Sequence, residues 1–270
     1  MNIGASSLPH PFLDRPWGAK ERQAAHVLWN WHHLLYRLGV QKQFPLVVDN
    51  LVERVVQGKL IKEIPEAVGR GVSEVCSAYN LSRELLAEQV KAIPYFLKPE
   101  RFPTRQEQTR FMDQWVGSHA LLLAGLAGAK GGWQRAPILH LARGFFLVRV
   151  LVMLPNDVAD GRVFIPSDEL NDQLLSDLSA GNIIPDLRRV LWRQVVRAKD
   201  ALGMGQELAK DLPRRSVRAL SWWWLSALEA LVEIERRDYD LWSKPFALSH
   251  RTKVQVYLHS RIGKYRGKGF

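Results

Sequence analysis

Apolar residues recur at spacings of three and four along most of this chain. The first such stripe consists of Ala25, Leu28, Trp29, His32, Leu35 and Tyr36. This period is typical of amphipathic helices that bury one face. We find no segment with the strict apolar and polar alternation of a half-buried strand, and no internal repeat. The sequence therefore predicts an all-α protein with one helical domain.

Proline and capping residues mark the helix boundaries. Thr104 followed by Glu107 forms a capping box, and Pro185 and Pro213 stand where helices open. Asn80 is a residue type that commonly ends a helix. The predicted helices begin at about residue 21 and continue over 44–56, 65–79, 83–93, 104–126, 136–153, a brief helix from 167, 186–202, 214–237 and 249–262.

The composition is that of a folded chain with a large core. Of 270 residues, 47% are hydrophobic and ten are Trp, while a single cysteine, Cys76, excludes an internal disulfide. No run of about eighteen apolar residues suggests a membrane span, and no signal-peptide stretch is present. We expect an extended N-terminal arm over 1–20, the helical domain over 21–262 and a basic tail over 263–270.

The net charge of +11 favours contact with polyanions, either nucleic acid or an anionic membrane surface. Basic residues concentrate on one predicted helical face and in the stretch from Leu241 to Phe270, which contains no acid. A solvated tail is the alternative interpretation of that stretch. The predicted polyanion or RNA contacts are Arg188, Arg189, Arg193, Arg197, Arg261, Lys264, Arg266 and Lys268.

Three consecutive tryptophans, Trp222, Trp223 and Trp224, point around their helix. A helix buried on all sides would cover all three, and this core position is the favoured interpretation. The alternative is that an exposed member of the trio docks a partner, since aromatic residues are enriched at interfaces.

Metal-ligating residues are sparse in the first part of the chain. His26, His32 and His33 lie close together, but no Cys or further acid completes a zinc site, so a metal role is disfavoured. Asp49 and Glu53 lie four residues apart and would form at most one weak Mg²⁺ site, although a solvated pair is favoured.

Two segments resemble the squalene/phytoene synthase family. The first runs from Leu147 to Leu151 and on through the turn from Gly161 to Leu170, which is similar to the end of the family's second aspartate-rich helix. The second runs from Ile234 to Lys244 and is similar to the family's Asp-Tyr-Asp-aromatic signature. The resemblance covers about residues 65–262 and implies the fold of an isoprenoid-synthase-like helical bundle.

The resemblance also implies head-to-head prenyl condensation, in which Mg²⁺ ions on two aspartate-rich motifs take up the charge of a diphosphate leaving group. Here the second motif is degenerate, because Met153 stands at the leading Asp position and Asn156 replaces an acid. Asp157 and Asp160 remain, beyond Pro155, where turn residues are expected more often than ligands.

These departures favour a non-catalytic member of the family that needs no cofactor. We expect a structural or assembly factor of a large mitochondrial complex, similar to the branch recruited for respiratory complex I assembly, or a component of the mitochondrial ribosome with RNA as a partner. This hypothesis places the protein in the mitochondrial matrix and permits peripheral membrane contact. The alternative is a Mg²⁺-dependent prenyl-diphosphate transferase in a bacterial cytoplasm.

Overall fold

The computed structural model describes residues 18–41, 48–59, 62, 64–97, 101–129 and 135–262. These residues contain thirteen α-helices, one π-helical turn and one 3-10 helix. Since no strand occurs within those residues, the all-α prediction is confirmed. The helices are α1 Ala19–Val40, α2 Val48–Val56, α3 Glu66–Ala78, α4 Glu84–Lys91, α5 Pro94–Leu97, α6 Arg105–Met112, the π turn Asp113–Gly117, α7 Ser118–Leu126, α8 Arg135–Val152, α9 Leu154–Ala159, α10 Asp172–Ala180, α11 Pro185–Met204, the 3-10 helix Gly205–Lys210, α12 Arg214–Arg236 and α13 His250–Ile262.

Helix α8 lies at the centre of the bundle. Every residue of 145–152 is buried, so this helix is covered on all sides, by α11 and α12 and by the π turn among others. Gly144 allows α11 to approach closely, because a Cβ atom there would lie 2.8 Å from Cγ of Leu202. The apolar run that was predicted as one helix is therefore the core element of the fold.

Several boundaries follow from local side-chain chemistry. The Thr104 hydroxyl accepts a hydrogen bond from the backbone N–H of Glu107, as the capping box predicts. Asn80 adopts a left-handed conformation, with φ of 51°, directly after α3. The helix predicted from Ser167 is wrong by five residues: Asn171 caps it by accepting from the N–H of Leu174, and α10 begins at Asp172.

The long helix predicted over 104–126 is present, but a π turn interrupts it at Asp113–Gly117. The extra residue of such a turn changes the direction of the following side chains. Here Asp113 faces α8 and accepts two hydrogen bonds from Arg143, at 2.7 and 2.6 Å. Periodicity did not predict this interruption.

The predicted terminal segments fall largely outside the described residues, which begin at Gly18 and end at Ile262. The division into an arm at 1–20, a domain at 21–262 and a tail at 263–270 therefore stays a prediction. Among the described helices, none is long and apolar enough to cross a membrane.

A small polar cluster lies inside the apolar core between α1, α4 and the α6–α7 helix. His32 is fully buried, its Nδ1 lies 2.9 Å from Oε1 of Gln89, and its ring stacks on Trp115 and His119. Burial lowers the pKa of His32 to about 4, although the hydrogen bond that the ring donates to Gln89 opposes that change. His32 is thus a neutral core histidine in this fold.

This burial predicts that acid destabilises the fold through His32. The folded-state pKa of about 4 lies below the unfolded value of 6.5, so the unfolded chain takes up the proton first as the pH falls from about 6.5 towards 4. A pKa difference of that size corresponds to about 3 kcal/mol of unfolding free energy. Urea unfolding at several pH values should show a shallower pH slope for His32→Gln, while the exposed His259→Gln keeps the slope of the natural chain. Equal slopes in all three proteins would contradict this assignment.

Candidate functional site

A cavity of about 530 Å³ lies between α8, α9 and α12 and the segment 241–248 that follows α12. Its walls are largely apolar and include Phe145, Val148 and Trp223. Two cationic side chains, Arg149 and Lys253, also line it. Cavities of 300–1,000 Å³ with apolar walls and a few polar groups are typical small-molecule sites.

The segment that closes the cavity is folded by the Asp-Tyr-Asp turn noted in the sequence. Asp238 and Tyr239 have positive φ values of 52° and 65° and reverse the chain after α12. Asp240 then accepts hydrogen bonds from the N–H groups of Trp242 and Ser243, both at 3.0 Å. The side chain of Ser243, followed by its N–H and that of Trp242, lowers the pKa of the Asp240 carboxyl, and the two backbone bonds hold the turn.

Arg237 fixes the far side of the same segment. Its guanidinium donates to the backbone carbonyl of Lys244 at 3.0 Å and lies over the ring of Phe246 at 5.4 Å. Trp242, which lines the cavity, packs against Gly181, where a Cβ atom would lie 3.0 Å from the indole ring. The turn, the arginine and this glycine together position the aromatic wall of the cavity.

The opposite wall contains a buried ion pair at the junction of α8 and α9. Arg149 donates hydrogen bonds to both carboxylate oxygens of Asp157, and the two side chains are only 4% and 3% exposed. Arg149 also lies over the ring of Phe164 at 5.3 Å. Burial raises the pKa of the Asp157 carboxyl, while the charge of Arg149 acts in the opposite direction.

The geometry of the junction differs from the expected turn. Pro155 stands in the first turn of α9, where its missing N–H is tolerated, and Asn156 and Asp157 are helical. The N–H of Met153 donates to the backbone carbonyl of Arg149, and the N–H of Asp157 donates to the backbone carbonyl of Met153, both at 2.9 Å. Helical hydrogen bonding therefore continues through the junction and brings Asp157 back beside Arg149.

Further charged and phenolic groups surround this pair. Asp160 pairs with Arg162 at the more exposed end of the junction. Burial raises the pKa of Tyr36 on α1, and the nearby charges of Arg149 and Arg162 oppose that change. The last turns of α1 thus lie beside the residues that close α8.

The sequence profile of the squalene/phytoene synthase family matches residues 20–257. The chain belongs to the squalene/phytoene synthase family. No curated protein sequence matches the chain.

Solved structures share the fold of this family member at low sequence identity. A dehydrosqualene synthase in complex with a ligand superposes with a TM-score of 0.80 at 15% identity, covering 92% of this chain and 89% of that one. The squalene synthase HpnC from Alicyclobacillus acidocaldarius gives 0.66 at 16% identity, covering 87% of this chain and 100% of that one. YisP from Bacillus subtilis subsp. subtilis strain 168 gives 0.69 at 16% identity, covering 92% and 87%.

These findings correct the function predicted from the sequence. A non-catalytic mitochondrial assembly factor or ribosomal component was expected, whereas the family and the neighbouring structures are synthases of the squalene and phytoene type. The degenerate second aspartate-rich motif led to that error, because the absence of acids at Met153 and Asn156 was interpreted as an absence of catalytic activity. The mitochondrial matrix, ribosome and RNA-binding expectations have no support among these relatives.

The Mg²⁺ ions that this family normally uses do not fit the acids of the described residues. Both oxygens of Asp157 are occupied by Arg149, and Asp160 is paired with Arg162. No group of three or more His, Cys, Asp and Glu side chains in the described part of the chain could hold a metal ion. The side chain of Asp49 lies outside the described residues, and Glu53 is exposed and accepts from Gln57 at 2.8 Å.

The predicted polyanion contacts on α11 are mostly engaged in ion pairs. Arg188 pairs with Asp238 at 2.8 Å, Arg189 with Asp186 at 3.2 Å, and Arg197 with Glu169 at 2.6 Å. Arg193 is exposed. The side chain of Arg261 and residues 264, 266 and 268 lie outside the description, so polyanion contact by this set stays a prediction.

Burial of the tryptophan trio favours the core interpretation for two members. Trp223 is 4% exposed and lines the cavity, and Trp224 is 6% exposed and donates to the carbonyl of Leu202 at 3.0 Å. Partner docking by these two conflicts with that burial. Trp222 is partly buried and contacts the ring of Tyr257 edge-on, at 5.5 Å between centroids.

Sequence reasoning missed Arg149 and Lys253 as residues of the site. Arg149 is the single charge in the apolar run 144–153, and an unpaired charge in a core helix is a signal that a partner must lie nearby. Lys253 gave no comparable signal, because it was one cation among many in an acid-free segment.

The buried pair predicts a large asymmetry between single and double substitutions. Asp157→Asn leaves the Arg149 charge buried without a counter-charge and should lower the unfolding free energy by about 3–5 kcal/mol. Arg149→Met combined with Asp157→Leu removes both charges and should recover most of that loss. Urea unfolding measures all three proteins.

Asp160→Asn serves as the matched control, because it breaks the neighbouring but exposed pair and should cost less than about 1 kcal/mol. Equal losses for Asp157→Asn and Asp160→Asn would show that the buried pair has no special role.

Proposed function

We propose that this family member is a prenyl-diphosphate transferase of the squalene/phytoene synthase type, whose cavity takes the isoprenoid chain. The observation that carries the proposal is the cavity of about 530 Å³ with apolar walls and cationic groups at its lining. Membership of the family and the synthase neighbours support the same reaction class.

The apolar walls suit a polyisoprenoid chain and the cation that forms from it. Burial of an alkyl chain contributes about 0.8 kcal/mol for each CH₂ group removed from water. Phe145, Trp223 and Trp242 present aromatic rings to the cavity, and the negative face of such a ring stabilises a carbocation. The same walls limit the access of water to that cation.

The polar lining suits the diphosphate of the same substrate. Lys253 makes no ion pair within the described residues and is thus free to meet an anion. Asn156 and Ser226 add an amide and a hydroxyl donor to the lining. The Nε–H of Arg149 is buried and has no hydrogen-bond partner in the described part of the chain.

The acids of the described residues present no Mg²⁺ site, so among those residues we assign the recognition of the diphosphate to these donors. Arg149 keeps its position through Asp157, which balances its charge, and presents its unpartnered Nε–H at the wall where the family's second motif would stand. The two structural neighbours with a named source are bacterial, which supports a bacterial cytoplasm in place of a mitochondrial matrix.

The direct test is incubation of the purified chain with farnesyl or geranylgeranyl diphosphate, with Mg²⁺ and with a chelator in its place. We expect saturable binding and release of diphosphate together with a longer, less polar isoprenoid product. Absence of both binding and diphosphate release under either condition would overturn the proposal.

Filling the cavity predicts a loss of substrate affinity without a loss of fold. Ala227→Leu places three more carbon atoms in the cavity wall and should weaken binding by about tenfold or more, which is about 1.4 kcal/mol. Lys253→Gln should weaken binding of the diphosphate more than binding of the corresponding prenyl alcohol. Calorimetry measures each affinity.

Ala180→Leu is the matched control, because Ala180 is an exposed helical alanine outside the cavity lining. If Ala227→Leu and Ala180→Leu bind the substrate equally well, the cavity is not the binding site.

A further inference from the structure

The junction of α8 and α9 holds two cations and two carboxylates in matched pairs. Arg149 donates to both carboxylate oxygens of Asp157 inside the core, and Arg162 pairs with Asp160 at the more exposed end. The backbone N–H of Arg162 also donates to the backbone carbonyl of Asp157 at 2.7 Å. Because the four side chains balance in charge, this wall lacks the excess of negative charge that favours a divalent cation.

Both carboxylate oxygens of Asp157 face the guanidinium of Arg149. The two side chains are 3% and 4% exposed, so the pair is closed to solvent. Mg²⁺ takes oxygen ligands in near-octahedral geometry at about 2.0–2.1 Å and usually keeps several of its waters. A hydrated ion could therefore reach Asp157 only by displacing Arg149.

The fold opposes that displacement. Arg149 belongs to the buried part of the central helix α8, and its guanidinium lies over the ring of Phe164 at 5.3 Å. Moving it away would leave two opposite charges unpaired in the core, which is strongly destabilising. The guanidinium also keeps its charge at any pH at which proteins fold, so it repels a second cation beside Asp157.

Met153 removes the other acid of this wall. It stands four residues before Asp157, where the family's motif has its leading Asp, and it lines the cavity. Its thioether is a soft ligand, whereas Mg²⁺ prefers hard oxygen atoms. Arg149 and Met153 thus act in the same direction, against a divalent cation at the junction.

We propose that Arg149 excludes divalent cations from this junction, so that the chain binds the anionic group of its ligand without a metal ion. The identity of that ligand, a prenyl diphosphate, rests on the proposed function. The exclusion of cations rests on the geometry of the junction alone. The two parts are therefore tested by different measurements.

The first measurement is a titration of the full chain with Mn²⁺, a paramagnetic substitute for Mg²⁺ that also favours carboxylate oxygens. Electron paramagnetic resonance should show no saturable binding up to about 1 mM, the weak end of protein sites for divalent cations. Calorimetry then compares the binding of farnesyl thiolodiphosphate, an unreactive analogue, in Mg²⁺ and in a chelator. We expect dissociation constants that agree within about twofold.

Saturable Mn²⁺ binding by the natural chain, or an affinity for the analogue at least about tenfold higher in Mg²⁺, contradicts the proposal. If the analogue binds under neither condition, the assignment of the ligand fails together with the proposed function. The Mn²⁺ titration decides the exclusion of cations in that case as well.

The double variant Arg149→Asn and Met153→Asp releases Asp157 and places a second carboxylate four residues before it. We expect it to gain saturable Mn²⁺ binding below about 1 mM and to need Mg²⁺ for full affinity for the analogue. Thermal unfolding establishes that the variant is folded, and bound Mn²⁺ should raise its midpoint. The milder variant Arg149→Gln keeps an amide donor for Asp157, loses only the charge and should gain weaker Mn²⁺ binding.

Arg143→Asn is the matched control, because Arg143 lies on the same helix and also donates to both oxygens of one acid, Asp113. Its Mn²⁺ binding and its affinity for the analogue should equal those of the natural chain. If the control gains as much Mn²⁺ binding as the double variant, any released carboxylate suffices and the junction has no special role. If neither Arg149 variant gains Mn²⁺ binding, Arg149 is not the residue that excludes the cation.

Discussion

The ion pair between Arg149 and Asp157 is the interaction on which the site depends. Arg149 is placed inside the central helix of the bundle, where an unpaired charge would be strongly destabilising. Only the continuation of helical hydrogen bonds past Met153, with Pro155 in the first turn of α9, returns Asp157 to within reach. The pair thus determines the path of the chain at the junction, and the junction in turn forms one wall of the cavity.

The helices predicted from the sequence agree with the structure where a local sequence signal determines the structure. Thr104 caps its helix, Asn80 takes the left-handed position, and the apolar run over 136–153 is the core helix. The prediction failed at the brief helix expected from residue 167, which begins at Asp172 behind its cap Asn171. The π turn over 113–117 gave no local signal, and the contact that Asp113 makes within it joins residues thirty apart in sequence, Asp113 and Arg143.

The sequence predicted which segments form the candidate site, but it did not predict the contacts between their side chains. The Asp-Tyr-Asp turn could be recognised, and its structural role follows from Asp240, which fixes the backbone that carries Trp242. The pairing of Arg149 with Asp157 could not be derived, because the two residues are eight apart in sequence and belong to two different helices. Counting carboxylates in the sequence therefore gave the wrong function, since it treated Asp157 as a remnant and not as a partner.

The electrostatics of the ion pair between Arg149 and Asp157 differ from those of a metal site built from acids. A site built from several acids is repulsive until cations enter it, whereas Arg149 and Asp157 balance each other's charge and leave only the Nε–H of Arg149 without a partner among the described residues. In the proposed function, an anionic substrate is attracted by Lys253 and by the donors of Asn156, Ser226 and the Nε of Arg149. In the function that we propose, the apolar enclosure would select substrates by the shape and length of the hydrocarbon chain.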